Sequence, residues 1–252
     1  MSDLFSEKLL LAKAEDTVKL SEKYCSVRHT DFLTPAEAIF IKEKNITGYD
    51  SRQMFFGGYE DAERVMFISY PDFLEECPLD EIISAIVITG RDIGSLGHRD
   101  FLGSIMGLGI KREKIGDIIV LEDKAIVFSS SDIARYIKDN LTKIGNCGIH
   151  TEIKEVEKIT VPEKKTEILS GTVQSIRLDS VLSVALKTSR SKVVQLIQGE
   201  KVQVNWKIVS DVSYQMKEED VFSVRGFGRF NLFSVNGTTK KGRISITVQK
   251  YI

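Results

Sequence analysis

The stretch that decides the fold of the C-terminal part is residues 177–230, RLDSVLSVALKTSRSKVVQLIQGEKVQVNWKIVSDVSYQMKEEDVFSVRGFGRF. In its first eleven residues, apolar side chains recur at intervals of three and four, which predicts a helix with one buried face. The side chains on that face are Leu178, Val181, Leu182, Ala185 and Leu186. Thr188 and Ser189 interrupt the pattern, and Ser189 predicts the cap of a second helix over residues 190–198. We therefore expect two short helices that share one apolar core.

The start of the second helix carries the chemistry of an anion site. Ser189, Arg190, Ser191 and Lys192 crowd its first turn. A helix N-terminus offers free amide donors and a partial positive charge, so it attracts phosphate. Two cations at that end are unfavourable in an isolated helix, which favours an anionic partner. The alternative is an ordinary capped helix with solvated charges.

A small antiparallel sheet is predicted after the helix pair. Residues 201–205 alternate apolar and polar side chains, and residues 221–225 predict a second strand. The second strand leads into Arg225-Gly226-Phe227-Gly228-Arg229, where two glycines would let the backbone approach a ligand while the arginines reach phosphates. Residues 231–235 and 244–251 predict a closing hairpin, and its loop has a basic tip formed by Lys240, Lys241 and Arg243. A solvated loop is the alternative for that tip.

Charge is distributed unevenly along the 252 residues, although the formal net charge is only −1. Residues 1–75 hold 9 basic and 14 acidic side chains, and residues 76–160 hold 11 and 14. Residues 161–252 hold 15 basic and 8 acidic side chains. This asymmetry favours a polyanion-binding module attached to an acidic body.

The remaining chain predicts an α+β protein with further segments. Residues 1–75 are interpreted as a small, mostly helical N-terminal domain, in which Thr34-Pro35-Ala36-Glu37 predicts a capping box at the start of one helix. Residues 76–156 follow the order strand, helix, strand, strand, helix, strand, with the second helix expected over 131–144. This order is the βαββαβ pattern of ferredoxin-like and RNA-recognition (RRM-like) domains. The aromatic stacking signature of RNA-recognition strands is missing, so RNA binding by this sheet face stays open. Residues 157–172 predict a linker with some strand character, and residues 173–252 are interpreted as the C-terminal domain.

Several function classes are disfavoured by the sequence. Cys25, Cys77 and Cys147 are widely spaced, as are the three histidines, so neither a metal site nor a redox pair is expected. We expect no cofactor, because no glycine-rich loop has dinucleotide or phosphate-binding spacing. The N-terminus does not resemble a signal peptide and no run of about 18 apolar residues occurs, which predicts a soluble, cytoplasmic protein. No nucleophile is paired with histidine in a recognisable way, so we predict that the protein is not an enzyme.

The motifs of residues 177–230 resemble the RNA-binding domain named after small-subunit ribosomal protein S-four. The resemblance rests on Arg177-Leu178-Asp179, on Ser189-Arg190-Ser191, on the strand at 201–205 and on the turn at 225–229. It implies a domain with two helices and a small antiparallel sheet that contacts RNA by shape and charge. The candidate RNA-binding residues are Arg177, Lys187, Ser189, Arg190, Ser191, Lys192, Gln195, Lys201, Gln203, Asn205, Lys207, Arg225 and Arg229.

A second resemblance covers the upstream part of the chain. Phe56-Gly57-Gly58-Tyr59, the stretch LGHRDFLG at 96–103 and LGIKREKIGD at 108–117 are similar to the bacterial YlmH family. The resemblance implies a ribosome-associated RNA-binding protein that acts in rescue of stalled large subunits carrying peptidyl-tRNA, with ribosomal RNA or tRNA as partner. It also implies a genetic neighbourhood of cell-division genes.

Two alternatives to a plain RNA binder remain at this stage. One is a protein-interaction adaptor, linked to cell division, in which the RNA module anchors the chain and the acidic N-terminal domain recruits a protein. The other, less favoured, is an RNA-modifying enzyme. A secondary basic surface that could contact RNA or protein comprises Arg99, Lys111, Arg112, Lys114, Lys240, Lys241 and Arg243.

Overall fold

The computed structural model describes residues 2–163, 165–239 and 242–252, with side chains from residue 6 onward. The chain divides into two compact units, Met1–Val161 and Pro162–Ile252. The sequence predicted a separate N-terminal domain at 1–75, a central domain at 76–156 and a linker at 157–172. In the structure, the first two of these segments lie in the same unit, because they share a buried core. No helix in the described ranges is long and apolar enough to cross a membrane.

The N-terminal unit consists of five helices and eight strands in the part of the chain that the structure describes. In chain order they are α1 (Ser2–Tyr24), β1 (Arg28–His29), α2 (Pro35–Glu43), β2 (Ser51–Phe56), β3 (Met66–Pro71), α3 (Leu79–Ile82), β4 (Ile83–Gly90), α4 (His98–Met106), β5 (Ile115–Val120), β6 (Lys124–Ser130), α5 (Ser131–Asn140), β7 (Lys143–Ile144) and β8 (Cys147–Lys154). Three further turns are 3₁₀ helices, at Ile93–Ser95, Arg112–Lys114 and Val156–Lys158.

The first 75 residues are less helical than the sequence indicated. Helix α2 begins as predicted, with a capping box in which Thr34 N–H donates to the Glu37 carboxylate at 2.7 Å and Glu37 N–H donates to Thr34 Oγ1 at 3.4 Å. However, β1, β3 and β2 form a three-stranded antiparallel sheet in that order. The strand β2, SRQMFF, escaped prediction because its apolar residues are consecutive instead of alternating.

The central sheet has the order β5-β6-β4-β8-β7, and all its pairings are antiparallel. Its four long strands have the arrangement of a ferredoxin-like βαββαβ fold, which confirms the prediction. One detail was wrong. The helix expected over 131–144 ends at Asn140, and Lys143–Ile144 pairs with the start of β8.

Both faces of the central sheet are covered. Ile86, Ile88 and Val127 pack on one side in a core that also includes Phe101 of α4 and Ile137 of α5. On the other side, strand alternation points a second set toward the N-terminal segment; this core contains Ala85, Ile126, Phe128, Phe32, Met66 and Ile68. The sheet face on which RNA-recognition domains stack bases is therefore filled by apolar side chains of the same chain.

The FGGY stretch at residues 56–59 forms the junction between the two layers. Gly58 has φ +106°, and a Cβ on it would lie 2.2 Å from Cδ1 of Phe128, so this position needs glycine. Tyr59 stacks on Phe128 and donates its hydroxyl to Asp117 at 2.8 Å. Burial, followed by the Asp117 charge, raises the pKa of Tyr59 well above its usual value. Asp117 also accepts the backbone N–H groups of Glu63 (2.7 Å) and Arg64 (3.1 Å).

The C-terminal unit places two helices on one face of a six-stranded antiparallel sheet. Its elements are β9 (Thr166–Val173), α6 (Leu178–Ala185), α7 (Arg190–Gln198), β10 (Val202–Val204), β11 (Lys207–Ile208), β12 (Val221–Val224), β13 (Gly228–Thr238) and β14 (Ile244–Tyr251). The sheet order is β11-β10-β12-β13-β14-β9. Both predicted helices and their apolar faces are confirmed.

Strand β9 corrects the boundary of the C-terminal unit. Most of it falls within residues 157–172, which the sequence predicted to be a linker, yet it pairs with β14 over eight residues from Val173 to Thr166. The strand packs closely under α6, since a Cβ on Gly171 would lie 2.5 Å from Val184. The sheet is consequently larger than the small one predicted, and β9 forms one of its edges.

Candidate nucleic-acid interface

A buried carboxylate organises the first predicted RNA-binding residues. Asp179, in the first turn of α6, has a side chain only 6% exposed. It accepts a hydrogen bond from Nε of Arg177 at 3.2 Å and one from Nη2 of Arg190 at 2.9 Å. Both arginine side chains remain partly open to solvent, at 37% and 56%. The carboxylate thus fixes two cations that still reach the surface, and the trio keeps a net positive charge.

The first turn of α7 is exposed as a whole. Ser189, Arg190, Ser191 and Lys192 are all exposed, whereas Val193 and Ile197 are buried in the core. Ser189 has extended backbone angles at the cap, but its side chain makes no capping hydrogen bond. Hydroxyls, cations and the helix N-terminus therefore face solvent together, as the sequence predicted. Gln195 is exposed one turn further along the helix.

The turn between the two helices contributes a weaker cation. Lys187 has φ +49° and is exposed. Its ammonium lies 3.8 Å from the carboxylate of Glu167 on β9, with both side chains largely solvated. Exposed pairs of this kind contribute about 0–1 kcal/mol, so this pair does not hold Lys187 away from a stronger anion.

The β10–β11 hairpin uses one of the predicted contact residues for its own turn. Asn205 and Trp206 both have left-handed backbone angles, φ +46° and +62°, as a two-residue type I′ turn requires. The Asn205 side chain donates to Asp220 at 2.8 Å and accepts from the Val221 N–H at 3.1 Å. Its amide thus holds the turn in place. Lys201 and Lys207 are exposed beside it, and Gln203 is half-buried on β10.

The turn between β12 and β13 is built as the glycines suggested. Gly226 and Gly228 have φ +89° and +107°, values that an L side chain rarely adopts. Arg225 and Phe227 are exposed in this turn. Arg229 returns on β13, half-buried, with its guanidinium 6.0 Å from the centre of the Trp206 ring. The glycines thus bring an arginine and an aromatic ring to the surface of one tight turn.

Two residues of the predicted secondary basic surface, Arg112 and Lys114, bind other groups within the N-terminal unit. The guanidinium of half-buried Arg112 donates to the carbonyls of Ile115 and Gly116. Burial, with the nearby Arg64 charge, lowers the pKa of Arg112 to about 10. Lys114 lies 3.0 Å from Asp31 and 3.1 Å from Asp132, and although burial opposes it, these two hydrogen bonds raise the pKa of Lys114.

The other described members of that group come from both units. Arg99 and Lys111 are exposed on the N-terminal unit, and Lys111 lies 4.0 Å from the Glu113 carboxylate. Arg243 is exposed on the C-terminal unit, where it lines the same cleft as Arg190. Lys240 and Lys241 lie outside the described residues. The proposed secondary basic surface therefore draws its described residues from both units.

Metal chemistry has no obvious place in the described part of the chain. It contains no group of three or more histidine, cysteine, aspartate or glutamate side chains that could hold a metal ion. The three cysteines are free thiols. The features that stand out are cations arranged around hydroxyls and backbone amides, which suit a polyanion.

Two family models match the chain, and they correspond to the two units. The model described as the putative RNA-binding domain in YlmH matches residues 85–158, and the S4 domain model matches residues 176–222. The chain is 33% identical over 257 residues to the "Ribosome-associated protein quality control protein P2" of Bacillus subtilis, with 99% of each sequence covered. A solved structure, "Cell division protein ylmH from Streptococcus pneumoniae", matches with a TM-score of 0.52 and 25% identity, over 62% of this chain and 95% of that one.

Proposed function

Since the chain belongs to the YlmH family of RNA-binding, ribosome-linked proteins, we propose that its C-terminal unit docks on structured ribosomal RNA or tRNA of the large subunit during quality control of stalled ribosomes. The observation that carries the proposal is the exposed first turn of α7, with Arg190 held by the buried Asp179. The protein acts there as a binder, without catalysing a reaction. The proposed work site is the cytoplasm, and the name of the relative, which describes a ribosome-associated protein, supports this.

The positive charge of the C-terminal unit supports docking of this unit on the phosphate backbone of RNA. Residues 161–252 carry seven more basic than acidic side chains, and the candidate cations Lys192, Lys201, Lys207 and Arg225 are all exposed. Contacts of this type position a protein by shape and charge, and they make affinity fall steeply with salt. The acidic N-terminal unit limits indiscriminate binding to other polyanions.

Co-sedimentation with purified large ribosomal subunits tests the proposal. The variant Lys192→Glu plus Lys201→Glu reverses two exposed charges and leaves the Asp179 pairings intact. We expect it to lose most subunit binding at moderate salt. The matched control, Arg135→Glu plus Lys138→Glu, reverses two exposed charges on α5 of the other unit and should bind as the unaltered protein does. Equal binding by both variants would show that this surface is not the docking site.

A second candidate function is a protein-interaction adaptor. Tyr49 is 99% exposed and Phe73 is 66% exposed, and a hydrogen bond between Asp72 N–H and the Asp50 carbonyl holds the two segments together at one end of the β2–β3 pair. Exposed aromatic rings beside carboxylates favour a partner protein with apolar and basic groups.

The first 75 residues cannot simply be deleted to test the adaptor function. Deleting residues 1–75 would expose the apolar face of the central sheet, because that segment covers it. The surface variant Tyr49→Ser plus Phe73→Ser avoids this problem. If it keeps subunit binding and loses rescue of stalled ribosomes in cells, the adaptor function is supported; if rescue is unchanged, this surface has no such role.

A further inference from the structure

A second arginine faces the cleft beside α7, and it comes from a part of the sequence far from the helix pair. Arg243, immediately before β14, donates Nη2 to the backbone carbonyl of Thr172 on β9 at 2.9 Å. This anchor holds the guanidinium beside a cleft of about 310 Å³ whose other walls come from α6 and the start of α7. The polar side chains that line it include Thr172, Ser180, Ser183, Thr188, Arg190 and Arg243.

The charge of this cleft is one-sided. Among the described residues that line it there are two arginines and no carboxylate. Asp179 lies behind Arg190 and is buried, so it orients that guanidinium without facing the cleft opening. A neighbouring cleft of about 160 Å³ differs, because it contains Glu167, which pairs with Lys187. The cleft with Arg190 and Arg243 is therefore the better anion site of the two.

The hydrogen-bonding capacity left in the cleft suits a phosphate group. A guanidinium has five N–H donors. Arg190 uses Nη2 for Asp179 and for Ser180 Oγ at 2.9 Å, and Arg243 is anchored through Nη2. Planar guanidinium groups recognise phosphate oxygens with paired donors, and their hydrogen bonds to anions are stronger than neutral ones. The volume is at the small end of ligand pockets, which span about 300–1,000 Å³, so it fits one phosphate with its attached sugars.

We propose that this cleft binds one backbone phosphate of the bound RNA. Arg190 contacts the phosphate from the helix side and Arg243 contacts it from the sheet side, and we call the cleft the phosphate seat. The proposal rests on the proposed function and deepens it, since it adds the β9–β14 edge to the RNA-binding surface. Arg243 lies beyond residues 176–222 that match the S4 domain model. The strands that flank that domain thus supply the second half of the phosphate seat.

Salt-dependent binding of a fluorescently labelled tRNA tests the seat in the full-length protein. Loss of one phosphate contact reduces the slope of log K against log salt concentration by about 0.7–0.9. We expect Arg243→Gln to show that reduction and to bind roughly tenfold more weakly at ~0.1 M salt, uniformly across RNA sequences. The control Arg135→Gln removes another exposed arginine, from α5, and should leave the slope unchanged.

A second pair of variants guards against a folding artefact. Thr172 is exposed on the edge strand β9, so its side chain can be changed with little effect on packing. Thr172→Glu puts a carboxylate into the cleft and should weaken binding as Arg243→Gln does, whereas the neutral Thr172→Gln should bind nearly as the unaltered protein. In a double-mutant cycle, Arg190→Gln and Arg243→Gln should be non-additive because they act on one phosphate.

The outcomes separate this inference from the proposed function. If Lys192→Glu plus Lys201→Glu abolishes binding while Arg243→Gln and Thr172→Glu bind normally, the seat is wrong and the docking surface stands. If the unaltered protein binds neither tRNA nor large subunits, both fail. Calorimetric titration with adenosine monophosphate should give no saturable heat; saturable binding that Arg243→Gln abolishes would overturn the assignment to an RNA backbone and indicate a nucleotide site.

Discussion

Replacing Asp179 with asparagine should destabilise the C-terminal unit by about 2 kcal/mol. The carboxylate receives one charge-assisted hydrogen bond from Arg177 and one from Arg190. Asparagine keeps one acceptor oxygen and replaces the other with an NH₂ group, which would point a donor at a guanidinium. The side chain is buried, so neither water nor rotation can relieve the mismatch.

The magnitude follows from the burial of the partners. A hydrogen bond to a charged group contributes about 1.5–3 kcal/mol, and we reduce this to about 1 kcal/mol because both arginines are partly solvated. Leaving a buried amide donor without an acceptor costs about 1–3 kcal/mol, and we take the lower end. The two effects together give about 2 kcal/mol in the free energy of unfolding.

Urea denaturation followed by tryptophan fluorescence measures the change in unfolding free energy of the C-terminal unit. Trp206 is the only tryptophan of the chain, and it lies in the β10–β11 turn. With a denaturant slope of about 1–2 kcal/mol/M, the midpoint should fall by about 1–2 M at unchanged slope. Asp211→Asn, at an exposed carboxylate of the same unit, is the control and should shift the midpoint far less. Equal shifts for the two variants would refute the role assigned to Asp179.

Three further changes follow from the N-terminal unit. Gly58→Ala should destabilise it by about 2–5 kcal/mol in urea denaturation followed by circular dichroism, since the new Cβ meets Phe128 at a positive φ. Gly148→Ala, with no atom within 4 Å of the added Cβ, is the control, and a similar loss there would contradict the steric argument. Burial raises the pKa of the Cys77 thiol to about 11, so its alkylation rate should be low at pH 8 and climb as the pH approaches 11; a plateau near pH 9 would disprove this. Arg112→Gln should lower the denaturation midpoint and leave tRNA affinity unchanged, because its donors serve backbone carbonyls, and a selective loss of affinity would return it to the RNA surface.

The local parts of the fold were predictable from sequence because short-range periodicity determines them. Helix α7 has the predicted bounds, 190–198, since its apolar residues repeat at helical spacing after a serine cap. The βαββαβ order of the central unit was recognisable for the same reason. Strand β9 was recognisable only as some strand character within a predicted linker, because EILSGTV lies in a charged stretch and is stabilised by pairing with β14, which is about 80 residues further along the chain. Long-range pairing leaves little trace in one segment.

In the candidate site, too, local features could be predicted from the sequence and long-range contacts could not. The exposed first turn of α7 was predictable from its residue types. The use of Asn205 in a turn, of Arg112 on carbonyls and of Arg243 beside Arg190 was not, because each depends on what tertiary structure brings next to the side chain. The Arg177-Leu178-Asp179 motif was recognisable from the sequence, but the pairing of Asp179 with Arg190, eleven positions away, required the geometry of the helix pair.

The double coverage of the central sheet has a consequence for hydrogen exchange. Strands β4 and β6 are interior strands, and their side chains are buried on each face of the sheet. Ile86 and Val127 are buried on one face, and Ala85 and Phe128 on the other. Their amide protons can reach water only when a large part of the N-terminal unit opens, so they should be among the slowest to exchange with deuterium. Binding of RNA to α7 would slow exchange in the C-terminal unit and leave these amides unchanged. Their exchange rates therefore provide an internal reference, within the same molecule, for the slowing that RNA causes in the C-terminal unit.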